Sequence, residues 1–191
     1  MKNIFLNTEM TDRLVNIVGQ SFLFLDEATR VHYGHDETED YNFPPLVVVK
    51  PENVEEVSEI MKLANEYKLP VVPIGGRTGL SGGALSIHGG IGLSLERFTT
   101  IEIDEKNLQA IVGPAVVTQL LRETASEKGL FYPPDPSSQG SCTIGGNVAE
   151  NAGGARAVKY GVTKDYVLNL EVVLPTGDII WTGANTLKNS T

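Results

Sequence analysis

The sequence predicts an α+β fold, and three observations carry that reading. A strand, helix, strand succession occupies residues 46–74, two local hairpin patterns lie at 101–112 and 167–182, and no fixed-period repeat links them. The 191 residues, 41% hydrophobic and 20% charged, suit one domain, or one and a fragment, with a real core.

Thr8 or Thr11 is placed to cap a first helix carrying Met10, Leu14, Val15, Ile17 and Val18, with Gly19 as its left-handed stop. After Pro44-Pro45, residues 46–49 form a short β-branched run that Pro51 ends, which reads as a strand. Residues 52–67 then place Val54, Val57, Ile60, Met61 and Ala64 at helical spacing, and the acids and Lys62 take the other face. Residues 71–74 read as a buried strand that runs directly into a glycine-dense loop. Strands follow at 91–95, 101–103 and 109–112, the last two joined by a charged turn at 104–107. A helix over 116–128 carries Val117, Leu120, Leu121 and Ala125, and Gly129 stops it. A second glycine-rich segment precedes a strand at 167–174, the turn Pro175-Thr176-Gly177-Asp178 and a return at 179–182. The chain divides most naturally into residues 1–96 and 97–191.

Composition narrows the function. A net charge of −9 and no cluster of Lys and Arg argue against nucleic acid as a partner. No stretch is apolar enough for a membrane span, and the N-terminal residues lack a signal-peptide pattern, so the expected location is cytoplasmic. Cys142 is the only cysteine, which rules out an intrachain disulfide and a zinc site built on several cysteines.

The informative residues lie in two loops. Residues 73–83 read PIGGRTGLSGG and residues 134–161 read PDPSSQGSCTIGGNVAENAGGARAVKYG. So many glycines and small side chains build little core, but they let backbone amides approach something large and anionic. The first loop lacks the Gly-Lys-Ser/Thr ending of a Walker loop and the spacing of the Rossmann fingerprint, so a nucleotide would need another geometry. Gly75, Gly76, Gly79, Gly82 and Gly83 expose amides there, Thr78 and Ser81 add hydroxyls, and Arg77 either assists or points to solvent. In the second segment Ser137, Ser138, Ser141 and Thr143 are short donors, and Gly145-Gly146 allows close approach. Asn147 and Asn151 have the groups to pair with the imide edge of a ring, or else to cap a helix and bond backbone. Gly153-Gly154 permits a further tight turn.

No catalytic constellation stands apart from these loops. SQGSC lacks the spacing of a nucleophile elbow, Glu55-Glu56 sit on a solvent face of a helix, and His32, His35 and His88 lack metal-ligand spacing. Neither a catalytic residue nor a metal ligand is assigned.

The two glycine motifs resemble the FAD-binding domain of the vanillyl-alcohol oxidase/PCMH flavoprotein superfamily, in particular its glycolate oxidase and D-lactate dehydrogenase branch. The resemblance runs from Tyr33-Gly34-His35-Asp36 to the C-terminus. It implies a two-subdomain, PCMH-type α+β fold that binds FAD, truncated at its C-terminal end. It also implies that Pro73, Ile74, Gly75, Gly76, Arg77, Thr78 and Gly79 cradle the pyrophosphate. Ser137, Ser138, Gly140, Ser141, Cys142 and Thr143 then lie along the pyrophosphate and flavin side, and Gly145, Gly146, Asn147, Ala149, Asn151, Gly153 and Gly154 continue that pocket.

Some members of the superfamily tether the flavin through histidine or cysteine. The first loop has no histidine, and Cys142 falls where this branch forms no covalent bond, so FAD is expected to be non-covalent, with Cys142 a small buried hydrophobe. The family follows a TLKNST-like segment with a further glycine-rich stretch and then a substrate domain. The sequence stops at that segment, so the 2-hydroxy acid substrate is expected only in a complete enzyme and the chain alone is expected to be inactive. The other reading is a non-catalytic FAD-binding or remnant module that needs a second chain or a homo-oligomer. The segment YGHDETE at 33–39 matches an N-terminal signature of the family, although its acids suit a solvated run equally well.

Overall fold

The computed structural model describes residues 5–183; residues 1–4 and 184–191, with the TLKNST segment, lie outside the described residues. Helix α1, Thr8–Val18, begins at Asn7, whose side chain accepts a hydrogen bond from the Met10 amide at 2.8 Å. The cap is therefore Asn7 and neither threonine, since Asn7 is the residue that stays extended while its Oδ1 reaches into the first turn. Gly19, at φ +81, ends the helix as its composition predicts. Strand β1, Leu23–Phe24, and helix α2, Glu27–His32, were not legible in the sequence; Asp26 caps α2 by accepting from the Thr29 amide at 2.8 Å.

Three further strands complete the first sheet: β2, Val47–Val49; β3, Val71–Ile74; and β4, Ile91–Ser94. Their order is β1-β2-β4-β3, with β1 antiparallel to β2 and the other pairings parallel. The expected strand, helix, strand unit is present through α3, Val54–Tyr67, but β4 inserts between its two strands. That insertion leaves β3 on the edge, half exposed except for Ile74, and not the buried strand its composition suggested. Alternation along β2 sends Val47 and Val49 into a core with Leu14, Ile60, Leu63 and Ile91, while Val48 packs on the opposite face with Ile74 and Tyr33. Each such large apolar side chain contributes roughly 1.5–3 kcal/mol on full burial.

The second half begins with a hairpin of β5, Ile101–Asp104, and β6, Gln109–Val112. Helix α4, Thr118–Glu127, starts without a side-chain cap and packs Leu121 on Val116 and Ile144; Leu120 lies off that stripe and is exposed. The segment read as a loop contains two short helices, α5 at Ile144–Glu150 and α6 at Ala157–Tyr160. The last hairpin pairs β7, Glu171–Val173, with β8, Ile179–Trp181, across a turn closed by Gly177 at φ +87. That turn returns to the first half, where Ser58 Oγ donates to the Gly177 carbonyl at 2.5 Å on the flank of α3. Among the described residues no helix is long and apolar enough to cross a membrane.

Candidate functional site

The first glycine loop leaves the C-terminal end of β3, where Pro73 is exposed and Ile74 is anchored in the core. It folds directly onto the second. A β-carbon on Gly75 would lie 2.8 Å from Thr143 Oγ1, and one on Gly76 would lie 2.6 Å from the Ser141 carbonyl oxygen and 3.3 Å from Cys142 Cα. Farther along, Ser81 Oγ donates to Glu150 Oε2 at 3.1 Å, and a β-carbon on Gly83 would meet Glu150 Oε1 at 2.8 Å. The loop thus runs from the start of α5 to its end.

Not every glycine here is enforced by protein packing. Among the described residues, a β-carbon on Gly79 would meet nothing within 4 Å, and one on Gly146 would have only an ordinary contact at 3.6 Å with Thr143 Oγ1. Those positions are open. Gly145 is packed, because its β-carbon would fall 2.6 Å from Pro114 Cβ.

The amides tell the same story. Among the described residues, no backbone or side-chain acceptor takes a hydrogen bond from the amides of Arg77, Thr78, Gly79, Leu80 or Ser81. Thr143 Oγ1 is buried and has no partner among them either. A run of free donors and one orphaned hydroxyl beside open glycines is what a polyanionic ligand with a polar ring system would use.

The second segment is braced from behind. Asp135 Oδ1 accepts from the Arg156 amide at 3.1 Å, its Oδ2 pairs with Arg156 Nε at 3.1 Å, and a β-carbon on Gly154, at φ +127, would strike the Asp135 carbonyl at 2.2 Å. Gly153 faces Val162 and Ala157, so both of these glycines serve this internal brace and do not meet the first loop. Ser137, Gly140, Ser141 and Ala149 are exposed and Ser138 is half-buried.

Both asparagine side chains bond within the fold, Asn147 to a side chain and Asn151 to backbone. Asn147, only 2% exposed, donates from Nδ2 to Thr118 Oγ1 at 2.6 Å. Asn151 ends α5 in the left-handed conformation at φ +52, and its Oδ1 accepts from the Lys164 amide at 3.0 Å. Cys142 is 4% exposed, with Sγ 3.2 Å from Thr118 Oγ1, so Thr118 links both residues from α4. Tyr132 lies nearby, and burial pushes its hydroxyl up to about 12.

Arg77 points neither at the free amides nor simply to solvent. Its guanidinium donates to the His32 carbonyl and lies over the Tyr33 ring, 5.2 Å from the centroid. Tyr33 in turn donates to Glu96 Oε2 at 2.5 Å, and Glu96 also receives Lys50 at 2.5 Å and Ser94 Oγ at 3.1 Å. Burial pushes the Glu96 carboxyl up, but the bonds from Lys50 and Tyr33 outweigh it and hold the group below its ordinary value. Burial, with Arg77 and His35 close by, pushes the His32 imidazole down. Sequence reasoning missed Lys50, Glu96, Pro114 and Thr118; each meets the site only through contacts distant in sequence, and none carries a local motif.

Fold and site together define an α+β domain whose two glycine loops pack against each other beside a run of amides that meet no acceptor among the described residues. The FAD binding domain family matches residues 45–183, and the chain belongs to that family. It is 43% identical over 185 residues to the glycolate oxidase subunit GlcD of Bacillus subtilis, covering 96% of this chain and 39% of that protein. It is 45% identical over 179 residues to the D-lactate dehydrogenase of Archaeoglobus fulgidus, covering 87% of this chain and 40% of that protein. The solved structure of p-cresol methylhydroxylase with substrate bound shares its fold, with a TM-score of 0.80 at 24% identity over 92% of this chain and 35% of that one. The chain therefore spans about two fifths of the length of the curated relatives it matches.

Proposed function

We propose that this chain supplies the FAD-holding part of a flavin-dependent 2-hydroxy acid dehydrogenase or oxidase of the glycolate or D-lactate type. The observation that carries the reading is the run of five amides from Arg77 to Ser81 that meet no acceptor among the described residues, beside the Thr143 hydroxyl, which has no partner among them. The residues fit the cofactor: the amides suit a diphosphate, the open faces of Gly79 and Gly146 admit close approach, and the Thr143 hydroxyl awaits one polar partner. When bound, FAD supplies the hydride acceptor that amino-acid side chains lack. The chain's own work is binding and orientation. The amides of 77–81 and the hydroxyl of Thr78 hold the diphosphate, the Ser137 to Thr143 stretch borders the flavin side, and Gly145, Gly146 and Ala149 line the wall that α5 builds.

The FAD is held without a covalent bond in this reading, which the buried Cys142 thiol supports. No side chain here is given a catalytic role, and the division at residues 96 and 97 places one loop in each subdomain. A second reading, a module that binds FAD but needs a further chain or a second copy to act, is supported by the exposed apolar side chains of Ile179, Ile180 and Trp181 on the last hairpin.

One titration tests the proposal. Purified chain is titrated with FAD while flavin fluorescence is followed, then denatured and filtered, and a separate sample is assayed with D-lactate or glycolate and a dye acceptor. Saturable binding with full release of flavin supports non-covalent FAD, and absence of binding overturns the site. Turnover by the chain alone would overturn the reading that no residue of this chain is catalytic.

A further inference from the structure

The segment that follows α2 lies behind the first glycine loop and touches it along its length. Arg77 contacts the His32 carbonyl and the Tyr33 ring at the near end. The Glu37 amide donates to the Gly79 carbonyl at 3.1 Å, and the Gly82 amide donates to Thr38 Oγ1 at 2.8 Å. Thr38 is fixed in its turn, because its amide donates to Asp36 Oδ1 at 2.9 Å and Asp36 is only 6% exposed. The segment binds the side chain of Arg77, the Gly79 carbonyl and the Gly82 amide, and the five amides from 77 to 81 meet no acceptor among the described residues.

Arg77 itself is a costly choice. It sits at φ +55, where an L side chain is disfavoured by about 1–2 kcal/mol and glycine is not. A guanidinium there repays that cost only through what it holds. What it holds is Tyr33, 7% exposed, which Glu96 secures to the C-terminal ends of β2 and β4 through Lys50 and Ser94. A chain of contacts thus connects the rigid sheet to the backbone of the loop.

We propose that residues 32–38, anchored by Glu96, preset the first glycine loop for the FAD diphosphate, and that Arg77 is a positioning residue acting through Tyr33 and not a phosphate ligand. The proposal rests on the FAD reading given above. A loop already in its binding conformation avoids the loss of apparent affinity that a rarely populated conformation imposes.

The test uses the full chain with FAD as probe, in Arg77→Gly, Arg77→Lys, Tyr33→Phe and the double variant Arg77→Gly with Tyr33→Phe. Arg77→Gly keeps the left-handed backbone comfortable and removes only the side chain. The expected result is FAD affinity about tenfold weaker in Arg77→Gly, the loss that a tenfold drop in the competent loop population would give. Arg77→Lys gives no rescue, because a point charge cannot stack on Tyr33 as a planar fork does. The ionic-strength dependence of binding stays parallel to wild type, and the double variant loses no more than the worse single one.

Hydrogen exchange on the cofactor-free protein gives a second readout. The Glu37 and Gly82 amides, which bond between the segment and the loop, exchange faster in Arg77→Gly, while the β5–β6 hairpin is unchanged. Rescue by lysine together with a flattened salt dependence in Arg77→Gly would make Arg77 a phosphate ligand, and unchanged exchange at Glu37 and Gly82 would remove the positioning role; either overturns the proposal. If wild-type protein fails to bind FAD, the site reading fails, and the exchange experiment still decides whether this segment fixes the loop.

Discussion

Gly76 and Ser141 approach so closely that a β-carbon at position 76 would lie 2.6 Å from the Ser141 carbonyl oxygen. The two glycine-rich stretches are therefore one unit: the first loop rests on the backbone that leads into α5. Glycine at 76 is required by protein packing, whatever it also offers a ligand. The obstacle is backbone, so it cannot be relieved by turning a side chain.

Gly76→Ala is accordingly expected to do two things at once. It should cost stability in the range of overpacking, roughly 1–3 kcal/mol, and it should weaken FAD binding by parting the loops. Chemical denaturation and flavin titration on the same preparation check this. Unchanged stability would mean that the loops separate freely and are not one unit.

Gly79→Ala separates the two roles that Gly76 combines. Gly79 has no positive φ, and a β-carbon there would meet nothing within 4 Å among the described residues, so the cofactor-free protein should stay within about 0.5 kcal/mol of wild type. If the diphosphate lies against the free amides, the added methyl group stands in its way and affinity falls at least about tenfold, a cost near 1.4 kcal/mol. Retained affinity would move the diphosphate away from Gly79.

The sequence showed the long amphipathic helices and most strands because their patterns are local. Val57, Ile60 and Ala64 are buried where the helical stripe placed them, and Gln109–Val112 forms its strand as its composition indicated. Helix α5 was illegible: IGGNVAE carries two glycines and too few turns to display a period, and it is held by Pro114 and Thr118 from elsewhere in the chain. The same limit applied to the site. Glycine density marked both loops, but whether a glycine faces a ligand or another backbone depends on contacts such as Gly75 with Thr143. The acids of YGHDETE suited a family signature and a solvated run equally, and burial of Asp36 with the bonds from Glu37 and to Thr38 is a tertiary fact.

Acid should expose the Glu96 anchor. The folded-state value of Glu96 lies below its ordinary 4.5, so its contribution is present above the ordinary value and is lost as pH falls through the lowered one. The stability advantage of wild type over Glu96→Gln should thus be full near neutrality and shrink on the acid side. Denaturation midpoints measured at a series of pH values decide it. A constant difference across that range would show that the Lys50 and Tyr33 bonds do not favour the ionised carboxylate.

Cys142 should resist thiol reagents in the folded protein and react stoichiometrically once denatured, since it is 4% exposed and its Sγ lies 3.2 Å from Thr118 Oγ1. Rapid labelling under native conditions would contradict that burial. It would also reopen a covalent role for the thiol.

Thr143 offers the sharpest separation of fold from function. Its Oγ1 is buried without a partner among the described residues, and an unsatisfied buried hydroxyl costs about 1–3 kcal/mol. Thr143→Val keeps the shape and removes the polar atom, so the cofactor-free protein should be as stable as wild type or more so. If the hydroxyl is there for the cofactor, the same change should weaken FAD binding about three- to tenfold, the worth of one net hydrogen bond. The two measurements must move in opposite directions. A variant that is more stable and binds FAD as well as wild type would leave the orphaned hydroxyl without a part in the site, while one that is less stable would show that the hydroxyl has a partner within the fold.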